Sequence, residues 1–208
     1  RYRGKDFVWW LGVLGKWALK TPPQGRAHVT IAVSGAHGGE TVDFRRFAAR
    51  GMTLLGMTAR HDGGVMHFAD DLARNIMAGD DNYLGLLDEA DAYVTANGID
   101  LPEDPAARLI GSDPDCMTRP VRSLDLATEG VSTIIWATGY KQDFDWLKLA
   151  CFHGDGRPQH KEGIAEVPGL YFLGLPWLSM RGSSFIWGVW EDAARLAGDI
   201  AARHGTAP

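Results

Sequence analysis

The chain has 208 residues, of which 45% are hydrophobic, and a formal net charge of −5. That is enough apolar material for a sizeable core in one large or two small domains, and the mildly acidic balance argues against a nucleic-acid partner, which would need clustered Lys and Arg. No apolar run approaches the ~20 residues of a membrane-spanning helix, no signal peptide precedes the first helix, and the two cysteines, Cys116 and Cys151, sit in unrelated contexts that suit a reduced, cytoplasmic compartment.

In chain order, Asp6 is placed to cap a helix over residues 7–19, with Phe7, Trp10, Leu11 and Leu14 at helical spacing and Thr21-Pro22-Pro23 ending it. Its aromatic stripe reads as core rather than as a ligand box. Residues 29–33 read as a strand, 35–39 as a glycine loop, and 42–50 as a short helix with Phe44 and Phe47 facing inward. Residues 52–59 and 65–68 flank Asp62-Gly63-Gly64, a hairpin signal because glycine supplies the positive φ of tight turns. Residues 70–96 carry Leu72, Ile76, Leu84, Leu87 and Ala90 on a helical period. The stretch Gly79-Asp80-Asp81 leaves open two helices with a break or one bent helix, and Asn97-Gly98 is the stop.

Residues 102–120 are rich in Pro and Asp and read as a surface connector. From 121 to 140 the chain returns to a sheet, through Val131-Ser132-Thr133-Ile134-Ile135-Trp136 into Ala137-Thr138-Gly139-Tyr140. Residues 154–158 read as a hairpin tip, and 169–174 as a second buried strand closed by glycine. Arg181-Gly182-Ser183-Ser184 then leads into a helix over 185–203, whose N-terminus would suit a phosphate or a flavin carbonyl.

The order of these pieces resembles the C-terminal part of bacterial flavin-containing monooxygenases, which carry an FAD domain and an NADPH domain joined through an Ala-Thr-Gly-Tyr step. Three further stretches support the resemblance, which covers nearly the whole chain: Arg1-Tyr2-Arg3-Gly4-Lys5-Asp6, the run from Ser34 to Asp43, and Leu124-Asp125-Leu126. It implies an α/β fold, a partial two-dinucleotide-binding-domain, Rossmann-like flavoprotein. Residues 1–127 would be the remaining part of the NADPH domain, with the hairpin and the long helical segment, and 128–208 the C-terminal segment of the FAD domain. Neither Gly-x-Gly-x-x-Gly fingerprint of such a fold occurs in the sequence. The expectation is therefore a fragment of a longer enzyme that begins upstream of Arg1, its unpaired sheet edges met by the missing N-terminal FAD/NADPH-binding half or by a second copy of the chain.

The resemblance assigns the cofactor-binding positions. Ala137, Thr138, Gly139 and Tyr140 let a cofactor approach the backbone, although an Ala-Thr-Gly after a strand also makes an ordinary turn. Gly174, Leu175, Pro176 and Trp177 would lie near the isoalloxazine, and Ser183 and Ser184 would aim a helix dipole at the reduced ring, or simply begin a capped core helix. Arg1 and Arg3, beside Lys5, offer guanidinium forks for the adenosine 2′-phosphate of NADPH. A solvated turn is the other reading of that cluster, and an upstream Arg could carry the role instead.

Other chemistries find less support. His61 and His67, or Cys151 with His153 and His160, lack a tight ligand spacing backed by carboxylates, so no metal is expected. Asp70-Asp71 and Asp80-Asp81 are neighbours that do not share a helix face, which argues against a glycosidase pair. Ser183 and Ser184 lack the Gly-x-Ser-x-Gly elbow of a hydrolase. The implied parent reaction is hydride reduction of FAD by NADPH, oxygen addition at the flavin C4a position, and transfer of one oxygen to a small organic substrate. No catalytic residue is assigned within this segment, and the isolated chain is expected not to turn over. The alternatives are an NADPH-flavin reductase or oxidase that oxygenates nothing, and a non-catalytic binding or interaction module.

Overall fold

Asp6 begins the first helix as expected: its carboxylate accepts the Val8 N–H at 2.8 Å, and α1 runs over Phe7–Val13. The computed structural model describes residues 1–21, 42–203 and 205. The strand expected at 29–33, the glycine loop at 35–39 and the Pro22-Pro23 stop lie outside the described residues. α1 ends six residues before position 19, because Gly15 turns left-handed with φ +67 and a single 3₁₀ turn, Lys16–Ala18, replaces the helix.

The described residues form two compact units, residues 1–10 with 42–138 and residues 11–21 with 139–203. Each is mixed α/β with a small antiparallel sheet. In the first unit, α2 (Phe44–Ala49) is capped by Asp43, whose carboxylate accepts the Arg45 N–H at 2.9 Å. The hairpin forms from β1 (Thr58–Asp62) and β2 (Val65–Phe68), and its two turn residues, Gly63 and Gly64, both have positive φ. β2 is the central strand; it buries Met66 and Phe68 and pairs on its other side with β3 (Ser123–Asp125).

α3 runs unbroken over Leu72–Asn97, which decides for one helix over the two left open at Gly79-Asp80-Asp81. One glycine inside a helix costs about 1 kcal/mol, less than the burial of Leu72, Ile76, Leu86, Leu87, Ala90 and Val94 along the same helix returns. Gly98 stops it in the left-handed conformation, its N–H donating to the Thr95 and Val94 carbonyls. The connector after it holds a 3₁₀ turn, Pro105–Arg108, and one turn of helix, α4 (Asp115–Thr118). Tyr2 and Trp10 are both fully buried in this unit, with the Trp10 indole N–H donating to the Tyr2 carbonyl at 3.0 Å.

The second unit holds β4 (His160–Lys161) and β5 (Ile164–Ala165), joined by Glu162 and Gly163, both at positive φ. Cys151, Ala165, Phe172 and Leu178 make its buried cluster. The hairpin tip at 154–158 is present, with Phe152 bridged to Pro158.

Three expected elements differ. Residues 131–137 form no strand, and their apolar side chains face outward: Ile135 is 85% and Trp136 64% exposed. β-branched composition selects an extended backbone, yet a strand needs a partner, and none lies alongside among the described residues. Residues 169–174 make one bridge, Tyr171 to Ile164, rather than a strand, bracketed by Gly169 and Gly174 at positive φ. The last helix, α5, spans Val189–Arg203 instead of starting at 185, because Arg181–Ser184 is a 3₁₀ turn and Gly188 lies against the Gly182 backbone. No helix among the described residues is long and apolar enough to cross a membrane.

The Gly182–Gly188 approach is testable. A Cβ on Gly188 would lie 2.6 Å from the Gly182 carbonyl carbon and oxygen, so Gly188→Ala is expected to cost about 1–3 kcal/mol of unfolding free energy. Gly198→Ala, in α5 with open space at its Cβ, is expected to gain up to about 1 kcal/mol. Urea unfolding of both variants checks the pair.

Candidate functional site

The most constrained loop in the second unit is 174–184, the segment that carries six of the expected cofactor positions. Residues 19–21 fix it from one side. Lys20 and Met180 form an antiparallel bridge, the Arg181 N–H donates to the Leu19 carbonyl at 2.8 Å, and the Thr21 hydroxyl donates to the Trp177 carbonyl, also at 2.8 Å. Trp177 itself sits at φ +56, a backbone region that bulky side chains rarely adopt. The Thr21 bond and the packing of the neighbouring, buried Leu178 hold that conformation in place.

From the other side the loop hangs on α5. The Ser183 oxygen accepts the backbone N–H groups of Ser179 and Met180, each at 3.1 Å. The Ser179 hydroxyl donates to Asp192 Oδ1 at 2.5 Å, and Arg195 donates to the same oxygen at 2.8 Å. Asp192 is 1% exposed and Ser183 0%. Burial pushes the Asp192 carboxyl upward, but hydrogen bonds led by the Ser179 hydroxyl outweigh it and hold the group below the usual carboxylate range. Asp192 Oδ2 is buried with no partner among the described residues.

Arg181 completes the site. Its guanidinium lies 5.7 Å from the Trp17 ring centroid, and burial holds its pKa below the ordinary arginine value. No carboxylate lies within ion-pair distance of it among the described residues.

The expected positions therefore fall into three groups. Gly174, Leu175, Pro176, Trp177, Ser183 and Ser184 share this one loop, with Ser183 buried as a structural bond and Ser184 exposed. Ala137, Thr138, Gly139 and Tyr140 are all exposed, with Gly139 at φ +90. Arg1 is exposed, whereas Arg3 is committed to the Asp91 carboxylate, which also accepts from the Tyr2 hydroxyl and from Arg108. Arg3 thus meets any phosphate already paired. Burial raises the Asp91 carboxyl, but hydrogen bonds from Arg108, Tyr2 and Arg3 carry it below the ordinary value.

Sequence reasoning missed Thr21, Ser179, Arg181 and Asp192. A signal for Asp192 was present: it lies four residues before Leu196, and the helical period places both on the buried face of α5. Among the described residues no three of His, Cys, Asp or Glu gather as a metal site.

Gly139 and Gly174 each leave open space where a Cβ would stand. Pro176 and Trp177 add apolar surface, and Arg181 adds a positive charge. The sequence supplies no glycine fingerprint for the pyrophosphate.

Comparison with known proteins finds likeness over part of the chain. It is 46% identical over 71 residues to an uncharacterized oxidoreductase, CzcO-like, of Geobacillus kaustophilus, covering 34% of this chain and 20% of that protein. It is 44% identical over 70 residues to the uncharacterized oxidoreductase CzcO of Bacillus velezensis and 43% over 70 residues to that of Bacillus subtilis, covering in each case 33% of this chain and 20% of the relative. The matched segment thus spans about a fifth of the length of these curated relatives. No protein-family profile matches the chain, and no solved structure matches it. The likeness is to proteins named as oxidoreductases.

Two pH effects follow. The Asp192 carboxyl is depressed, so its contribution to stability is present above the unfolded value near 3.8 and is lost as pH falls through the lower folded value. Ser179→Ala removes its short hydrogen bond, and a loss of about 1–3 kcal/mol at neutral pH is expected in urea unfolding. His160, whose Nδ1 accepts the Gly163 N–H, is held below 6.5 by burial, with the charge of His153 adding to it. Its contribution is present above 6.5 and lost below it. The unfolding midpoint is therefore expected to fall between neutral pH and about pH 5, and less steeply in His160→Leu.

Proposed function

We propose that this chain is part of a flavin-dependent, NADPH-using oxidoreductase of the monooxygenase-like type, with the 174–184 loop as a wall against the flavin ring. The observation that carries the reading is the fixing of that loop by Thr21 on one side and Asp192 on the other, with Trp177 at a costly φ. A strained residue held by several bonds suits preorganised recognition of a ligand. The likeness to oxidoreductases over a third of the chain supports the same reading.

FAD, when bound and reduced by NADPH, supplies the redox and oxygen chemistry. The residues of this chain do the placing. Gly139 and Gly174 would admit the ring to the backbone, Pro176 and Trp177 would exclude water beside it, and the Arg181 guanidinium would favour negative charge on the bound group. Ser183 and Asp192 keep the loop in place. Ala137, Thr138 and Tyr140 serve as approach surface for cofactor or partner, and Arg1, with Arg3 beside it, takes the 2′-phosphate of NADPH.

The Rossmann-like frame belongs to this proposal as well. The exposed apolar run 131–140 takes a strand partner from another part of the enzyme or from a second copy of the chain, which would cover Ile134, Ile135 and Trp136. The substrate is a small organic molecule.

The test uses the gene product that contains these residues. It is expected to purify with bound flavin, to oxidise NADPH, and to lose flavin affinity by about tenfold in Trp177→Ala. Ile135→Lys is expected to reduce flavin content in that product while changing the unfolding free energy of the 208-residue chain by no more than about 0.5 kcal/mol. A colourless product that leaves NADPH untouched contradicts the proposal. Product formed per NADPH consumed separates an oxygenase from a reductase or oxidase.

A further inference from the structure

The first unit contains a cavity of about 530 Å³ between α2, the middle of α3 and residues 106–111, within the range of about 300–1,000 Å³ usual for small-molecule sites. We propose that it binds a neutral, predominantly apolar small organic molecule, independently of the flavin reading.

Three observations define the ligand. Leu54, Leu72, Ile76 and Leu86 form a buried apolar floor, and Phe44 and Leu109 stand exposed at the rim. The polar groups set deepest in the walls are already engaged within the protein. Arg45, whose side chain is only 8% exposed, forms ion pairs with both Asp80 and Asp113, and the Tyr83 hydroxyl donates to the Ala107 carbonyl at 2.9 Å. Arg46, Asn75 and Asn82 stand exposed to solvent. A charged ligand on the apolar floor would give up hydration without finding an unpaired countercharge there, and a neutral one loses little.

The third observation is Gly79. It lies on the cavity side of an unbroken 26-residue helix, makes no turn, and has open space where a Cβ would stand. Glycine is a poor residue for a helix interior, so its local effect is to keep the wall low. A larger side chain at 79 would project into the space the ligand takes.

The experiment is a fluorescence titration of the 208-residue chain with N-phenylnaphthylamine, a neutral apolar probe, and with the anionic anilinonaphthalene sulfonate. Saturable one-to-one binding of the neutral probe is expected, with the anion weaker by about tenfold. Gly79→Leu is expected to weaken the neutral probe by about tenfold or more, and Gly79→Ala by no more than about threefold. Both replace glycine in a helix with a better helix former and meet no atom at the Cβ, so circular dichroism and thermal unfolding should show the fold intact. Leu109→Asp, at an exposed rim position, gives a second reading that leaves the core alone and should also weaken the probe severalfold. No saturable binding, equal affinity in Gly79→Leu and wild type, or preference for the anion would each overturn the proposal.

Discussion

A buried carboxylate cannot stay charged without partners, and in this protein that requirement organises the second unit. Asp192 lies inside on α5, and its Oδ1 accepts from the Ser179 hydroxyl and from Arg195. Satisfying that oxygen draws the 174–184 loop onto the helix. Ser183 then gathers the Ser179 and Met180 amides, and residues 19–21 close the loop from its other edge. Trp177 keeps a costly backbone conformation because bonds on both sides leave the loop no cheaper path.

The first unit is organised by a comparable device of opposite sign. Arg45, nearly buried on α2, is held by Asp80 of α3 and by Asp113 of the connector. The Asp80 hydrogen bond, its leading cause, raises the Arg45 pKa, so the cation is present across the whole working range of pH. The same pairing ties α2 and the connector to α3.

What the sequence made legible was local. Asp62-Gly63-Gly64 specified a two-residue turn, Asn97-Gly98 a left-handed stop and Asp6 a helix cap, because each depends on one residue's own φ preference or side-chain reach. Residues 131–137 show where local reasoning ends. Val131, Ile134 and Ile135 make a good strand sequence, but pairing is a property of two segments, and composition names only one of them. The sequence put Gly174 to Trp177 and Ser183-Ser184 forward only through a family resemblance, and the bonds that fix the 174–184 loop were not legible. Thr21 and Trp177 are 156 positions apart and share no spacing rule. Asp192 shares the buried helix face with Leu196, a signal that becomes usable only once the bounds of α5 are known.

Residues 131–140 leave an exposed apolar segment, and the 174–184 loop is held by hydrogen bonds on both edges. The account stands on the loop being rigid before any ligand arrives. Amide hydrogen exchange of the flavin-free chain tests this most directly, read at the Ser179 and Met180 N–H groups that Ser183 accepts. Protection approaching that of the α5 amides is the expected result, and exchange at the rate of an unstructured peptide would contradict the account.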